Sequence, residues 1–255
     1  MRPGTVIFKL IKESALKMKW TENYRINSHD CDSLGKVRPS LILRYMQETA
    51  NLQLRALGPT TDELVRSDRA FILSRINMSI YADLYAYDNI TVSSWACESR
   101  GVSFNRCYQI RKNGEIVAEA ASVWGLIGIS DKKIYRVEDV ILGFDTDEPL
   151  EIDAPKRVRI PRDIQLSLVG ERPVVYSDLD INQHMNNTNY PDMLCDFIPD
   201  AVNKQILNVS ISFAGEAKLG ETLKVYMNHS DGQYYFRTVR SDGNVNVEAA
   251  IMVED

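Results

Sequence analysis

The stretch LDINQHMNNTNYPDMLCD at residues 179–196 repeats, in altered form, the stretch CDSLGKVRPSLILRYMQE at residues 31–48. In this alignment Asp180 falls opposite Asp32. Two further pairs of segments match in the same order along the chain: 76–92 with 209–225, and 111–124 with 240–253. Because an internal repeat of this kind marks a structural unit, the sequence predicts one unit used twice.

Each unit is predicted to contain one helix followed by several strands. Residues 38–57 have apolar side chains at helical spacing, with Pro39 in the first turn and Gly58-Pro59 as the stop. Alternating apolar and polar residues then predict strands near 70–80, 89–98, 102–111 and 116–129. Two turn dipeptides predict equivalent hairpins: Asn113-Gly114 and Asp242-Gly243. We therefore expect an α+β fold, with an antiparallel sheet wrapped around a helix in each unit.

The chain is expected to divide into an N-terminal unit at 1–145, a linker at 146–162 and a C-terminal unit at 163–255. Acidic residues, prolines and basic residues mark the linker, and this composition already starts near residue 140, at the end of the N-terminal unit. The first 20 residues carry lysines within their apolar part and lack a small-residue cleavage site. We interpret them as mature protein rather than a signal peptide.

The composition is that of an ordinary globular protein, at 44% hydrophobic and 25% charged. A net charge of −5 provides no basic field that would favour nucleic acid. The sequence contains no run of about 18 apolar residues, so it predicts no membrane span. The four cysteines form no C-x-x-C pair, so neither a zinc site nor a redox motif is indicated. The expected compartment is the cytoplasm.

The stretch DLDINQHMNNTNY at residues 178–190 opens like a calcium loop, but it does not continue as one. Such a loop needs glycine at its sixth position and glutamate at its twelfth, where this chain has Gln183 and Asn189. Zinc is also excluded, since His184 has no second histidine or cysteine at ligand spacing. We expect no metal and no cofactor.

Within this stretch the polar residues Asp180, Asn182 and His184 alternate. In extended backbone that spacing places all three side chains on one face, which predicts a polar site beside the following helix. An interpretation without function stays open. In it, Asn186 or Asn187 caps the helix through Leu194, and Tyr190 packs in the core.

The stretch resembles the pattern D-x-N-x-H-x-N-N-x-x-Y of the acyl-acyl-carrier-protein thioesterases of plants and bacteria. Segments 119–137 and 211–221 resemble the same family, so the resemblance covers nearly the whole chain except its first 20 or so residues. It implies a tandem (double) hot-dog fold. It also implies a thioester hydrolase that releases free fatty acid from acyl carrier protein (ACP), its partner.

The resemblance implies four catalytic positions: Asp180, Asn182, His184 and Glu216. Glu216 is the candidate general base for attack by water, expected as a buried carboxylate, although His184 remains open for that role. Asn182 and His184 would donate to the carbonyl oxygen or position the water, and Asp180 would hold one of them in place.

The family often has a cysteine directly after the glutamate, but this chain has Ala217 there. A thiolate from that position is therefore excluded, and Cys195 is expected to be a core residue. In the first unit, Leu34 and Lys36 stand opposite Asn182 and His184. We therefore expect one active site per chain, in the second unit.

The resemblance implies that the first unit lines much of the acyl pocket. Three residues are candidate substrate contacts, with simple core packing as the alternative for each: Leu73, Trp95 and Trp124. Basic clusters at 130–136 and 156–162 are candidate docking sites for an acidic carrier protein.

Other functions stay open at this point. The same fold could hydrolyse acyl-CoA, dehydrate 3-hydroxyacyl thioesters, or bind lipid without catalysis. The last two leave the clustered Asp, Asn and His without a shared purpose. Acyl chain length and quaternary state, a homodimer included, also stay open.

Overall fold

The computed structural model describes residues 19–152 and 156–254. The interpretation of the N-terminal segment therefore lies almost wholly outside the described residues. The α-helices of this part of the chain are α1 (Pro39–Leu57), α2 (Thr61–Arg66) and α3 (Tyr190–Cys195). None of these helices is long and apolar enough to cross a membrane.

The first unit contributes six strands: β1 (Lys19–Arg25), β2 (Arg69–Ile80), β3 (Asn89–Ala96), β4 (Phe104–Lys112), β5 (Glu115–Gly128) and β6 (Ile134–Tyr135). The second unit contributes five: β7 (Ser167–Pro173), β8 (Gln205–Phe213), β9 (Thr222–Ser230), β10 (Gln233–Val239) and β11 (Val245–Glu254). The four strands predicted in the first unit are confirmed, with ends that differ by a few residues.

These strands form one antiparallel sheet in the order β1-β3-β4-β5-β2-β8-β11-β10-β9-β7, with β6 beside β5. The second half of this order mirrors the first. The two halves join where β2 pairs with β8, with Ile76 opposite Ile211. The chain is therefore a double hot-dog, and the repeat predicted from the sequence is confirmed.

Helix α1 is the helix around which the first half of the sheet wraps. It begins at Pro39 and ends before Gly58, whose positive φ of 79° suits glycine. Leu43 and Met46 are fully buried on its inner face and belong to a core shared by both units. Each such side chain contributes about 1.5–3 kcal/mol through burial. The helix predicted at residues 38–57 is confirmed.

Two features of the fold differ from the sequence-based expectation. Each unit begins with an edge strand, β1 or β7, that was not predicted because most of its side chains are polar or exposed. Helix α3 has six residues, whereas α1 has nineteen. Pro199 follows α3 closely, and a proline disfavours helical backbone at the residue before it, here Ile198.

The segment between the two units packs against the outer face of the sheet. Its described residues from 140 to 166 contain no helix or strand. The Trp95 indole donates to the carbonyl of Glu148 at 2.9 Å, and Leu150 and Ile152 pack against the small apolar cluster that contains Trp95. The backbone N–H of Val158 donates to the Ser212 hydroxyl at 2.8 Å.

Candidate active site

The polar stretch of the second unit forms a tight turn. The Asp180 N–H donates to the carbonyl of His184 at 2.9 Å, and Gln183 has a φ of 63°. The Asp180 carboxylate accepts from the backbone N–H of Asn182 at 2.8 Å and of His184 at 3.4 Å. The extended backbone that we expected here was wrong, because the aspartate side chain stabilises a turn through local hydrogen bonds. Asp180 therefore shapes the turn that presents Asn182 and His184.

His184 and Glu216 form the polar pair of the site. His184 Nε2 lies 3.3 Å from Glu216 Oε2. A backbone hydrogen bond of 2.8 Å from Met185 N–H to the Ala217 carbonyl fixes the turn beside the loop after β8. The Glu216 side chain is 46% exposed, so the expectation that it is buried was wrong. It lies at the edge of a cavity rather than in the core, so a water molecule in that cavity can reach the carboxylate.

Two residues that hold the Glu216 loop were not found from the sequence. Asn246, fully buried, donates from Nδ2 to the Tyr190 hydroxyl at 3.0 Å and to the Gly215 carbonyl at 2.6 Å. Arg240 donates to the Glu216 carbonyl at 3.3 Å. Burial raises the pKa of Tyr190 to about 12, so its hydroxyl stays protonated. No local motif marks either residue, since their role arises only from the pairing of distant strands.

We expect Asn246→Ala to lower the free energy of unfolding by about 2–4 kcal/mol, because it removes several buried hydrogen bonds and leaves their partners unsatisfied. Urea unfolding measures this change. Asn244→Ala, in the exposed turn before β11, is the matched control and is expected to stay within about 0.5 kcal/mol of wild type. Equal stabilities of the two variants would contradict the positioning role of Asn246.

Two cavities meet at the turn. The inter-unit cavity, of about 490 Å³, lies between the units, and the first-unit cavity, of about 220 Å³, lies between α1, α2 and the sheet. The four predicted catalytic side chains all line the inter-unit cavity: Asp180, Asn182, His184 and Glu216. Ala70, Phe71 and Asn182 line both cavities, so the two spaces adjoin beside Asn182.

The three predicted substrate contacts lie in different places. Leu73 lines the inter-unit cavity, and Trp124 lines the first-unit cavity. Trp95 lines neither, because its side chain points to the opposite face of the sheet, where it belongs to the cluster that Leu150 and Ile152 cover. An alternating strand pattern identifies two faces but does not say which one meets a cavity.

Helix α1 of the first unit also holds the asparagine-rich stretch of the second. Gln47 Nε2 donates to Asn187 Oδ1 at 2.9 Å, and Arg44 Nε donates to the Thr188 hydroxyl at 3.2 Å. The Asn186 side chain accepts from the Thr188 N–H at 2.9 Å and caps the turn before α3. The capping interpretation therefore applies to Asn186, and it coexists with the polar site.

The first unit has an ion pair at the place equivalent to His184 and Glu216. Lys36 Nζ lies 2.8 Å from Asp83 Oδ2, in a cavity of about 340 Å³ that Asp32 also lines. The hydrogen bond to Asp83 raises the pKa of Lys36, so the ammonium has no lone pair to accept a proton. Cys195 lines this same cavity, and burial raises the pKa of its thiol. It does not line the cavity of His184, so it is not a nucleophile placed for that site.

Across residues 19–152 and 156–254, no group of three or more His, Cys, Asp or Glu side chains is arranged to hold a metal ion. The four predicted catalytic residues bring an amide, an imidazole and two carboxylates to the inter-unit cavity. Such a set can accept a proton and donate hydrogen bonds to a developing oxyanion.

Comparison with known proteins identifies relatives along both units. The family model of the acyl-ACP thioesterase N-terminal domain matches residues 17–143, and that of the C-terminal domain matches residues 162–254. A palmitoyl-acyl carrier protein thioesterase, chloroplastic, from Gossypium hirsutum is 23% identical over 216 residues, which are 78% of this chain and 52% of that protein. The chain thus spans about half the length of the curated relatives it matches.

Solved structures share the fold over almost the whole chain. An acyl-ACP thioesterase from Bacteroides thetaiotaomicron has a TM-score of 0.85 at 19% identity, with 93% of this chain and 98% of that chain covered. The 12:0-ACP thioesterase from Umbellularia californica has a TM-score of 0.81 at 17% identity, with the same coverage of 93% and 98%.

Proposed function

This chain belongs to the acyl-ACP thioesterase family, and from that premise we propose that it hydrolyses fatty acyl-ACP to free fatty acid and the carrier thiol. The observation that carries the proposal is the meeting of two cavities beside Asn182, with His184 and Glu216 in the adjoining wall. An acyl chain in the first-unit cavity and a carrier arm in the inter-unit cavity would place the thioester at that junction.

Water is the nucleophile in the proposed reaction. Glu216 takes a proton through Oε1, and in this proposal His184, whose Nε2 lies 3.3 Å from Oε2, donates to Oε2. The water oxygen bonds to the carbonyl carbon, and Asn182 Nδ2 donates to the resulting oxyanion. The carbonyl then re-forms, the carbon–sulfur bond breaks, and the departing thiolate takes the proton from Glu216. The Asp180 carboxylate holds Asn182 in place by accepting from its backbone N–H at 2.8 Å and from its side-chain Nδ2 at 3.4 Å.

The two units have different roles in this proposal. The N-terminal unit, residues 1–145, binds the acyl chain, since nearly all lining residues of the first-unit cavity come from it. The C-terminal unit, residues 163–255, supplies the base, the imidazole and the oxyanion donor. The first unit has Leu34 and Lys36 in place of Asn182 and His184, so its carboxylate, Asp83, is paired with an ammonium and has no amide or imidazole beside it.

Hydrolysis of matched acyl-ACP and acyl-CoA thioesters, over short, medium and long chains, tests the proposed substrate. We expect free fatty acid release, with kcat/KM for the carrier-bound chain about tenfold or more above that for the CoA thioester. A preference for acyl-CoA would keep the chemistry and discard the partner. Loss of water from 3-hydroxyacyl thioesters, without release of acid, would replace hydrolase by dehydratase.

Lys132, in the basic cluster at 130–136, lines the inter-unit cavity and lies where the phosphate of a carrier arm would approach. We expect Lys132→Ala to raise KM for acyl-ACP about three- to tenfold with kcat unchanged, because the charge contributes to binding and not to the chemical step. The effect should shrink as salt is added. Steady-state kinetics at two salt concentrations measure it.

Lys156→Ala, in the basic cluster at 156–162, is the control for charge loss alone. Lys156 does not line the inter-unit cavity, so its removal should leave KM within about twofold of wild type. A larger effect from Lys156 than from Lys132 would move the docking surface to the other cluster.

A further inference from the structure

The first-unit cavity contains a guanidinium without an acidic partner. Arg106 on β4 lines this cavity, and its Nη1 donates to Gln53 Oε1 at 2.7 Å and to the Ser94 hydroxyl at 2.8 Å. The ring of Phe144 lies 5.4 Å from the guanidinium carbon. Within the described ranges, no carboxylate forms an ion pair with Arg106. The positive charge is therefore inside the protein without a counter-ion.

The remaining donors of Arg106 face the empty part of the cavity. Among the described residues, neither Nε nor Nη2 donates to a protein acceptor, yet neither nitrogen is sealed from the cavity. Burial lowers the pKa of Arg106, but an arginine keeps its charge at neutral pH. Water in the cavity can satisfy these donors until a ligand enters.

The rest of the cavity suits an alkyl chain. Much of its lining is apolar: Ala50, Leu54, Leu64, Phe71, Phe104 and Trp124. A plain chain that reached Arg106 would displace the water and leave charged donors unpaired, which is unfavourable. A chain with an oxygen-bearing end would give those donors acceptors instead.

Resting on the proposed function, we propose that this enzyme takes acyl chains whose distal end is oxygenated, with a terminal carboxylate as the best fit to Arg106. Nε and Nη2 present two parallel N–H donors, the arrangement that binds a carboxylate through both oxygens. Asn51 and Asn105 line the same cavity and offer further polar contacts to that end. The thioester end would lie at Asn182, where the two cavities meet.

The test compares ACP thioesters of plain, ω-hydroxy and ω-carboxy acyl chains over a series of lengths. At the length that reaches Arg106, we expect kcat/KM for the ω-carboxy chain to exceed that for the plain chain by about tenfold or more. Arg106→Leu should reverse this order, and Arg106→Lys should retain part of it, because lysine keeps the charge but loses the paired donors. Preference for the plain chain in wild type, unchanged in Arg106→Leu, would overturn the inference while hydrolysis itself stands.

A binding measurement separates this inference from the proposed activity. Isothermal titration of wild type and Arg106→Leu with a dicarboxylic acid monomethyl ester and with the methyl ester of the monocarboxylic acid of equal length needs no turnover. Only the first ligand carries a free carboxylate, so its tighter binding by wild type alone would support the inference even if no thioester were hydrolysed. Equal binding of both esters by wild type would overturn it, whatever the activity.

Discussion

Glu216→Gln is expected to lower kcat for acyl-ACP hydrolysis about 10²–10⁴-fold, the usual contribution of a general base. Glutamine keeps the shape of the side chain. In wild type Glu216 Oε2 lies 3.3 Å from His184 Nε2, and the amide oxygen of glutamine can accept a hydrogen bond from that nitrogen. The substitution therefore removes the proton acceptor and little else. KM should change less than kcat, since the proposed site of the acyl chain is the first-unit cavity, which Glu216 does not line.

Free fatty acid release under saturating substrate measures this effect, with thermal unfolding of each variant as a check on folding. Because the Glu216 side chain is 46% exposed, its replacement by glutamine is expected to leave the melting temperature nearly unchanged. A stable variant with wild-type kcat would remove Glu216 from the chemical step.

His184→Ala is expected to lower kcat about 10²–10³-fold, because Glu216 loses the donor that fixes its orientation. If the two side chains act as one unit, the double variant with Glu216→Gln should be scarcely slower than the slower single variant. His184→Gln, which keeps an amide donor, should recover part of the loss. Single-variant and double-variant kcat values measured on one substrate supply this comparison.

The same series distinguishes the two candidates for the base. If His184 were the base and Glu216 merely oriented it, His184→Ala would be the more damaging change, and glutamine at 216 would be tolerated comparatively well. A loss for His184→Ala more than about tenfold greater than for Glu216→Gln would reverse the proposed roles. The location of the site would remain as proposed.

The fold was largely predictable because its determinants are local and occur twice. Alternating strands, the Pro39 start of α1 and the Asn113-Gly114 turn are each read from a few neighbouring residues. The edge strands β1 and β7 escaped prediction because edge positions do not require an apolar face. Helix α3 is shorter than its counterpart α1, and Pro199, which has no equivalent in the first repeat, follows it closely.

The candidate site was predictable in its members but not in its geometry. The spacing of Asp180, Asn182 and His184 singled out three members, and the family resemblance supplied Glu216. The same residue spacing occurs in extended backbone and in the tight turn that the structure has. Asn246 and Arg106 lie on strands whose pattern looks merely structural. What distinguishes them is contact with residues far along the chain, and local periodicity carries no information about such contacts.

The central claim, one active site per chain in the second unit, is tested most directly by single-turnover fatty acid release from acyl-ACP by wild type, Glu216→Gln and Asp83→Asn. The two substitutions are matched, since Asp83 pairs with Lys36 as Glu216 pairs with His184. We predict that the rate constant falls at least about 10²-fold for Glu216→Gln and stays within about twofold of wild type for Asp83→Asn. Equal losses in both variants, or a loss confined to Asp83→Asn, would contradict a single site at Glu216.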